Sequence, residues 1–123
     1  DNDSVTSLET FALLERLFHE QCYQPKDSNK ALPRPADETS SDSLQNPSDP
    51  GATYDGHKGE GYQVQITESC NSDNPFQVVT DFETENANES DQNALMPIIE
   101  NLGDQGLKPD IMVADAGYVS GKN

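Results

Sequence analysis

The stretch IMVADAGY, residues 111–118, decides the fold. Its first four residues are apolar and follow a helical-looking segment and a glycine-containing break, a pattern typical of a buried parallel strand. Ligands and catalytic groups collect at the carboxyl ends of such strands. Asp115 stands at that end, with Gly117 allowing a tight turn behind it, and is therefore a candidate metal ligand. The alternative is an aspartate that only caps the next turn, which is the commoner role for a strand-end aspartate taken alone.

Two strand-like segments lie upstream of this stretch. Residues 61–67 alternate apolar with polar side chains, which predicts a half-buried strand, and residues 76–82 predict a second. The Asn- and Pro-containing segment between them is typical of a turn, so residues 61–68 and 76–83 are predicted to pair as an antiparallel hairpin. Residues 52–54 predict a short first strand, although the preceding Pro-Gly pair weakens that prediction.

Two helices are predicted. One covers residues 6–23, with Thr6 as N-cap and Glu9 completing a capping box. The other begins after Ser90 and runs through Leu102, with Pro97 either kinking it or marking its true first turn. The apolar side chains that recur at helical spacing and form the buried face of this second helix are Ala94, Leu95, Ile98, Ile99 and Leu102.

The chain is predicted to divide into a helical segment at 1–24, an acidic Pro- and Ser-rich linker at 25–46, and an α/β segment at 47–123. In the last segment an antiparallel meander leads through a crossover helix to residues 111–114. These residues are predicted to lie parallel to the strand at 52–54, which completes a mixed sheet. Because the sequence begins without Met and stops just past a strand end, we interpret it as an internal piece of a longer protein.

The charge is strongly negative, with 23 acidic residues against seven basic ones and a formal charge of −16. This balance opposes binding to a phosphate backbone and favours divalent cations or basic partners. Nothing approaches the run of about 20 apolar residues that a membrane span requires. Cys22 and Cys70 are far apart and lack a CxxC pattern, so two reduced thiols are predicted in place of a zinc site.

Two blocks of the sequence carry a family resemblance. The first combines SDPGATY at 48–54 with HKG at 57–59 and GYQVQ at 61–65. The second combines NANESD at 86–91 with VADAGY at 113–118. In this order the two blocks resemble those of bacterial insertion-sequence transposases of the DDE class, which have a ribonuclease H-like catalytic domain. The resemblance covers residues 47–123. One departure is Gly51, where the family usually has a second aspartate.

The resemblance implies a partial ribonuclease H-like fold and two-metal cleavage and joining of DNA phosphodiesters. It makes Asp49 the first carboxylate and Asp115 the second, both catalytic and both ligands of Mg²⁺ or Mn²⁺. The third carboxylate, a glutamate on a later helix, is expected beyond Asn123. The implied partners are transposon-end DNA and further copies of the protein in a homo-oligomer, in the cytoplasm of a bacterium and away from membranes.

Three readings follow from these observations. The first is a fragment of a transposase, itself inactive because the third carboxylate and the basic DNA-binding regions are missing. The second keeps the fold but is a decayed, non-catalytic remnant. The third is an acidic soluble interaction module unrelated to DNA, in which Asp49 and Asp115 are ordinary turn residues.

Overall fold

The computed structural model describes residues 2–119. Its elements in chain order are the helices and strands α1 (Asn2–Thr6), α2 (Glu9–Gln21), β1 (Cys22–Tyr23), β2 (Leu32–Pro33), β3 (Thr53–Asp55), β4 (Gly59–Glu68), β5 (Val79–Asn86) and α3 (Asp91–Asp104), with single 3₁₀ turns at Ala36–Glu38 and Ala116–Tyr118. The predicted mixture of helix and strand is therefore confirmed. Within the described range, no helix has the length and apolar composition needed to cross a membrane.

The chain forms two compact units. The first contains the residues up to Tyr62 together with Asn86–Asn88. The second contains Gln63–Glu85 and the residues from Glu89 onward. The boundary between the units falls inside β4, between Tyr62 and Gln63, so this strand contributes to both units.

The N-terminal helix of the first unit differs from its prediction. Thr6 ends α1 instead of capping α2, and Leu8 takes the N-cap position without a side-chain hydrogen bond. The chain turns between the helices, where the Leu8 N–H donates to the Val5 carbonyl over 3.1 Å. The predicted capping box is therefore wrong, because Thr6 is already held in the preceding helical turn.

Polar side chains of α2 hold the second half of the predicted linker. Arg16 donates to the carbonyl oxygens of Pro50 and Asp42 over 2.7 and 2.9 Å. The Glu20 carboxylate accepts from Arg16 and from the Leu44 N–H, the latter over 2.7 Å. Leu44 is only 1% exposed, so a segment with few apolar residues still supplies one of the unit's most buried side chains.

The larger sheet has the strand order β3-β4-β5. In the first unit β3 pairs antiparallel with the start of β4, with Thr53 opposite Gly61. Gly59 and Gly61 have φ values of 90° and 123°, which favour glycine over residues with a Cβ. The predicted strands at 52–54, 61–68 and 76–83 all appear, although the last begins three residues later, at Val79.

The second unit buries the polar face of β4 and β5. Gln65 is 4% exposed, whereas Val64, Ile66 and Phe82 are 54%, 65% and 70% exposed. The Gln63 amide donates to Glu85 over 2.9 Å, so these side chains share the buried face. Alternating strands usually turn the apolar side inward, and here the order is reversed.

Helix α3 matches its prediction closely. It begins after Ser90, and Pro97 lies inside it without ending it. Ala94, Ile98 and Leu102 are buried and form the unit's apolar cluster, against which Met112 and Tyr118 pack. The expectation that at least one of the adjacent isoleucines is almost fully buried is confirmed by Ile98, at 4% exposure.

The predicted parallel strand at residues 111–114 is wrong. These residues are irregular, and every paired strand in the described part of the chain is antiparallel. Ile111 and Val113 are 81% and 78% exposed, and only Met112 of this run packs against the apolar cluster. An apolar run specifies a buried strand only when a neighbouring strand is available to pair with it, and none pairs here.

Replacing Ile98 by Ala should lower the free energy of unfolding by about 2–5 kcal/mol, because it removes a buried side chain and leaves a cavity. Chemical denaturation measures this loss. Ile99→Ala is the matched control and should cost less, since Ile99 is only half-buried. Equal losses for both variants, or a loss for Ile98→Ala below about 0.5 kcal/mol, would contradict the packing of α3.

Candidate functional site

Asp49 lies in a turn that precedes β3 in the first unit. Its N–H donates to the Asn46 carbonyl over 3.0 Å, and its own carbonyl accepts from the Ala52 N–H over 3.1 Å. Asp49 therefore stands four residues before β3 begins at Thr53 and is not on the strand itself. Its side chain is half-buried.

The Asp49 carboxylate is held by a tyrosine. The Tyr62 hydroxyl donates to Asp49 Oδ1 over 2.9 Å. The same hydroxyl lies 2.9 Å from where a Cβ at position 51 would stand, so Gly51 leaves the space that Tyr62 uses. The sequence does not indicate this hydrogen bond, because it joins residues 13 positions apart that no local pattern connects.

Asp115 precedes the 3₁₀ turn at Ala116–Tyr118 in the second unit. Its Oδ1 accepts from the Gly117 N–H over 2.7 Å, and its side chain is exposed. This is the turn-capping geometry that the sequence offered as the alternative role. Asp91 Oδ2 also lies nearby, 3.6 Å from the position a Cβ on Gly117 would occupy.

The two aspartates share one feature. Each accepts a hydrogen bond at Oδ1, and within residues 2–119 neither Oδ2 accepts one from the protein. Each carboxylate is therefore held in place through Oδ1, and its Oδ2 is left without a donor among these residues. The aspartates belong to different units, so each geometry is a property of its own unit.

A buried polar network orients the turn that carries Asp115. The Tyr118 hydroxyl donates to Gln65 Oε1. The Gln65 amide in turn donates to Glu85 over 3.1 Å and to Asp91 over 3.4 Å. The Asp115 turn is thereby linked to β5 and to the first residue of α3. Sequence reasoning missed Gln65 because a glutamine in an alternating strand is typical of a solvated face.

Two acidic side chains on the same buried face are incompletely paired. In the described part of the chain, Asp81 Oδ2 and Glu83 Oε2 are buried and have no hydrogen-bond partner. No group of three or more His, Cys, Asp or Glu side chains among residues 2–119 has an arrangement that could hold a metal ion. The donor type therefore suits a hard cation such as Mg²⁺, but the number of converging donors does not.

The second unit also contains an open cavity of about 1010 Å³. The apolar side chains of α3 form one wall, and the irregular segment at 107–115 forms another. Asp110 and Asp115 lie at its lining, together with Glu68 from the end of β4. Three carboxylates thus border a lining that is otherwise mainly apolar.

In comparisons with known proteins, no family model, no curated protein and no solved structure matches this chain.

The hydrogen bond to Asp49, with smaller contributions from desolvation and from the negative charge of Asp49, raises the pKa of Tyr62 above its ordinary value of 10.0. Because folding raises the pKa of Tyr62, the stabilisation of the fold by its hydrogen bond to Asp49 is fully present below about pH 10. This stabilisation is lost as the pH rises through the pKa of Tyr62 in the folded state. Asp49→Asn should therefore lower the pKa of Tyr62 towards its ordinary value.

Ultraviolet titration of the tyrosines measures this change, with Tyr62→Phe identifying the contribution of Tyr62. Asp115→Asn is the matched control, since Asp115 accepts from the Gly117 N–H in the other unit, and it should leave the titration of Tyr62 unchanged. An unaltered titration curve in Asp49→Asn would show that the hydroxyl does not bond to this carboxylate in solution.

Proposed function

We propose that the chain is part of the catalytic domain of a DDE-class DNA transposase, of ribonuclease H-like fold, and that it has no catalytic activity by itself. The observation that carries this proposal is the shared geometry of Asp49 and Asp115. Each stands at a turn, is oriented through Oδ1, and leaves Oδ2 without a donor from the described residues. A metal ligand needs a carboxylate oxygen that no protein donor occupies, and among the described residues both aspartates meet this condition.

The order of elements gives further support. An antiparallel meander, β3 to β5, is followed by α3 and then by the turn at Asp115. A ribonuclease H-like domain has the same order through the helix, but it then has a parallel strand before that turn, and residues 111–114 do not form one.

The proposed chemistry belongs to the complete enzyme. When bound, Mg²⁺ or Mn²⁺ would activate the attacking oxygen and stabilise the leaving one during phosphodiester transfer. The described residues do not supply three converging carboxylates, so no catalytic step is assigned to this chain alone. Its own residues orient two carboxylates, Asp49 through Tyr62 and Asp115 through the Gly117 N–H. The DNA ends, the oligomeric state and a bacterial cytoplasmic location are part of the same proposal.

A second function is favoured by a separate observation. The exposed side chains Val64, Ile66 and Phe82 form an apolar sheet face, which suits an acidic interaction module better than an enzyme core. This reading needs no metal and no DNA, and it leaves Asp49 and Asp115 as turn residues.

Manganese titration separates the two functions. If Asp49 and Asp115 share a metal site, paramagnetic broadening of nuclear magnetic resonance signals should concentrate near residues 49 and 115. Either Asp49→Asn or Asp115→Asn should abolish it, because a strongly hydrated ion gains little from one remaining carboxylate.

Asp73→Asn is the matched control, since Asp73 lies in an exposed turn and should leave that pattern intact. Diffuse broadening over the acidic residues, unchanged by all three substitutions, would instead mean non-specific attraction of cations by the negative chain. That result would remove the support for a catalytic role and leave the interaction module as the better reading.

A further inference from the structure

The second unit has a solvent-facing sheet surface that its own elements leave uncovered. We define the outer sheet face as Val64, Ile66, Glu68 and Phe82. Alternate residues of a strand share a face, so Val64, Ile66 and Glu68 stand together on β4. On β5, Asp81 and Glu83 each have a buried carboxylate oxygen and therefore face inward. Phe82 lies between them in the sequence, so it points to the outer sheet face.

The opposite face of the sheet is already occupied. The Gln65 amide donates to Asp91 at the start of α3. Just beyond the end of α3, the Gln105 amide donates to Asp81 over 3.4 Å. Helix α3 is therefore bonded to the polar face at both ends, and the apolar face is left to solvent except where Ile66 and Glu68 also border the cavity beside α3. The three apolar residues of the outer sheet face are all more than half exposed, an arrangement that is unfavourable unless something binds there.

Charge restricts what can bind. The second unit contains eleven acidic residues and two lysines, a formal charge of −9. A second copy would bring the same charge and be repelled, and so would nucleic acid or an anionic membrane surface. A positively charged partner is attracted instead, and Glu68 places one of the carboxylates on the face itself.

We propose that the outer sheet face binds a basic amphipathic helix of a partner protein. The apolar stripe of the helix covers Val64, Ile66 and Phe82, and its flanking lysines or arginines meet Glu68 and the surrounding negative field. A helix suits this face because an apolar stripe at 3.6-residue spacing packs flat against the apolar side of a twisted sheet. This inference names a partner for the acidic interaction module and rests on that second function, and it holds whether or not Asp49 and Asp115 bind metal.

The test uses three synthetic peptides of about 18 residues, or about five helical turns. The first carries leucines at i, i+3, i+4 and i+7 with lysines elsewhere, and the second scrambles the same residues so that the leucines form no stripe. The third keeps the stripe but replaces lysine with glutamate. Each is titrated into the full chain while backbone amide signals are followed by nuclear magnetic resonance.

The first peptide should shift the signals of Val64, Ile66 and Phe82, and the other two should bind at least about tenfold more weakly, a difference of about 1.4 kcal/mol. Val64→Thr should weaken the first peptide about fivefold by removing apolar contact area, and Phe82→Thr about tenfold or more. Val119→Thr is the matched control, because Val119 is equally exposed but lies outside the outer sheet face, and it should change nothing.

Three results would overturn the proposal. Equal binding of the two lysine peptides would show that charge alone acts, without recognition of the stripe. Shifts that are insensitive to Val64→Thr and Phe82→Thr would place the peptide elsewhere on the acidic chain. Sedimentation showing a dimer that either substitution dissociates would identify a second copy as the occupant.

Discussion

The second unit depends on the buried amide of Gln65. Its amide nitrogen donates to Glu85 and Asp91, and its oxygen accepts from the Tyr118 hydroxyl. A single side chain thus joins β4, β5, the start of α3 and the turn that carries Asp115. Leaving a buried amide group without partners costs about 1–3 kcal/mol, so the network specifies one arrangement of these elements. A substitution at Gln65 should therefore displace the turn that carries Asp115, although the substituted side chain does not touch Asp115.

This network also explains why the sheet is oriented against its hydropathy. Once Gln63 and Gln65 bond to Glu85, the polar side of β4 must face α3, and the alternation of the strand sends Val64 and Ile66 to solvent. Apolar burial in the unit then falls mainly to Ala94, Ile98 and Leu102 of α3. The unit therefore buries two separate surfaces, the polar face of the sheet and the apolar stripe of α3. Neither of them covers the outer sheet face.

The sequence predicts those features whose cause is local. Ala94, Ile98 and Leu102 recur every four residues, and that spacing specifies the buried face of α3 whatever the helix packs against. Non-local features are different in kind. Residues 111–114 have the composition of a strand, but forming one requires a partner edge that composition cannot reveal. Asp115 was found as a candidate from its turn, whereas the Tyr62 bond to Asp49 requires a tertiary fold that brings positions 49 and 62 together.

Gly51 links the departure from the transposase pattern to the geometry of Asp49. A side chain at position 51 would begin 2.9 Å from the Tyr62 hydroxyl, closer than non-bonded atoms approach, so tyrosine would have to move. A Cβ at position 51 and the Tyr62 hydroxyl cannot both occupy this space, although the hydroxyl ends an exposed, flexible side chain and moves at little cost. With glycine at position 51, the Tyr62 hydroxyl occupies this space and donates to Asp49. The hydroxyl is neutral, so it adds no charge beside the carboxylate. With aspartate a second negative charge would replace that donor, strengthening attraction for a cation while removing what fixes Asp49. Under the proposed transposase function, the glycine thus exchanges ligand charge for orientation of the one carboxylate at this turn.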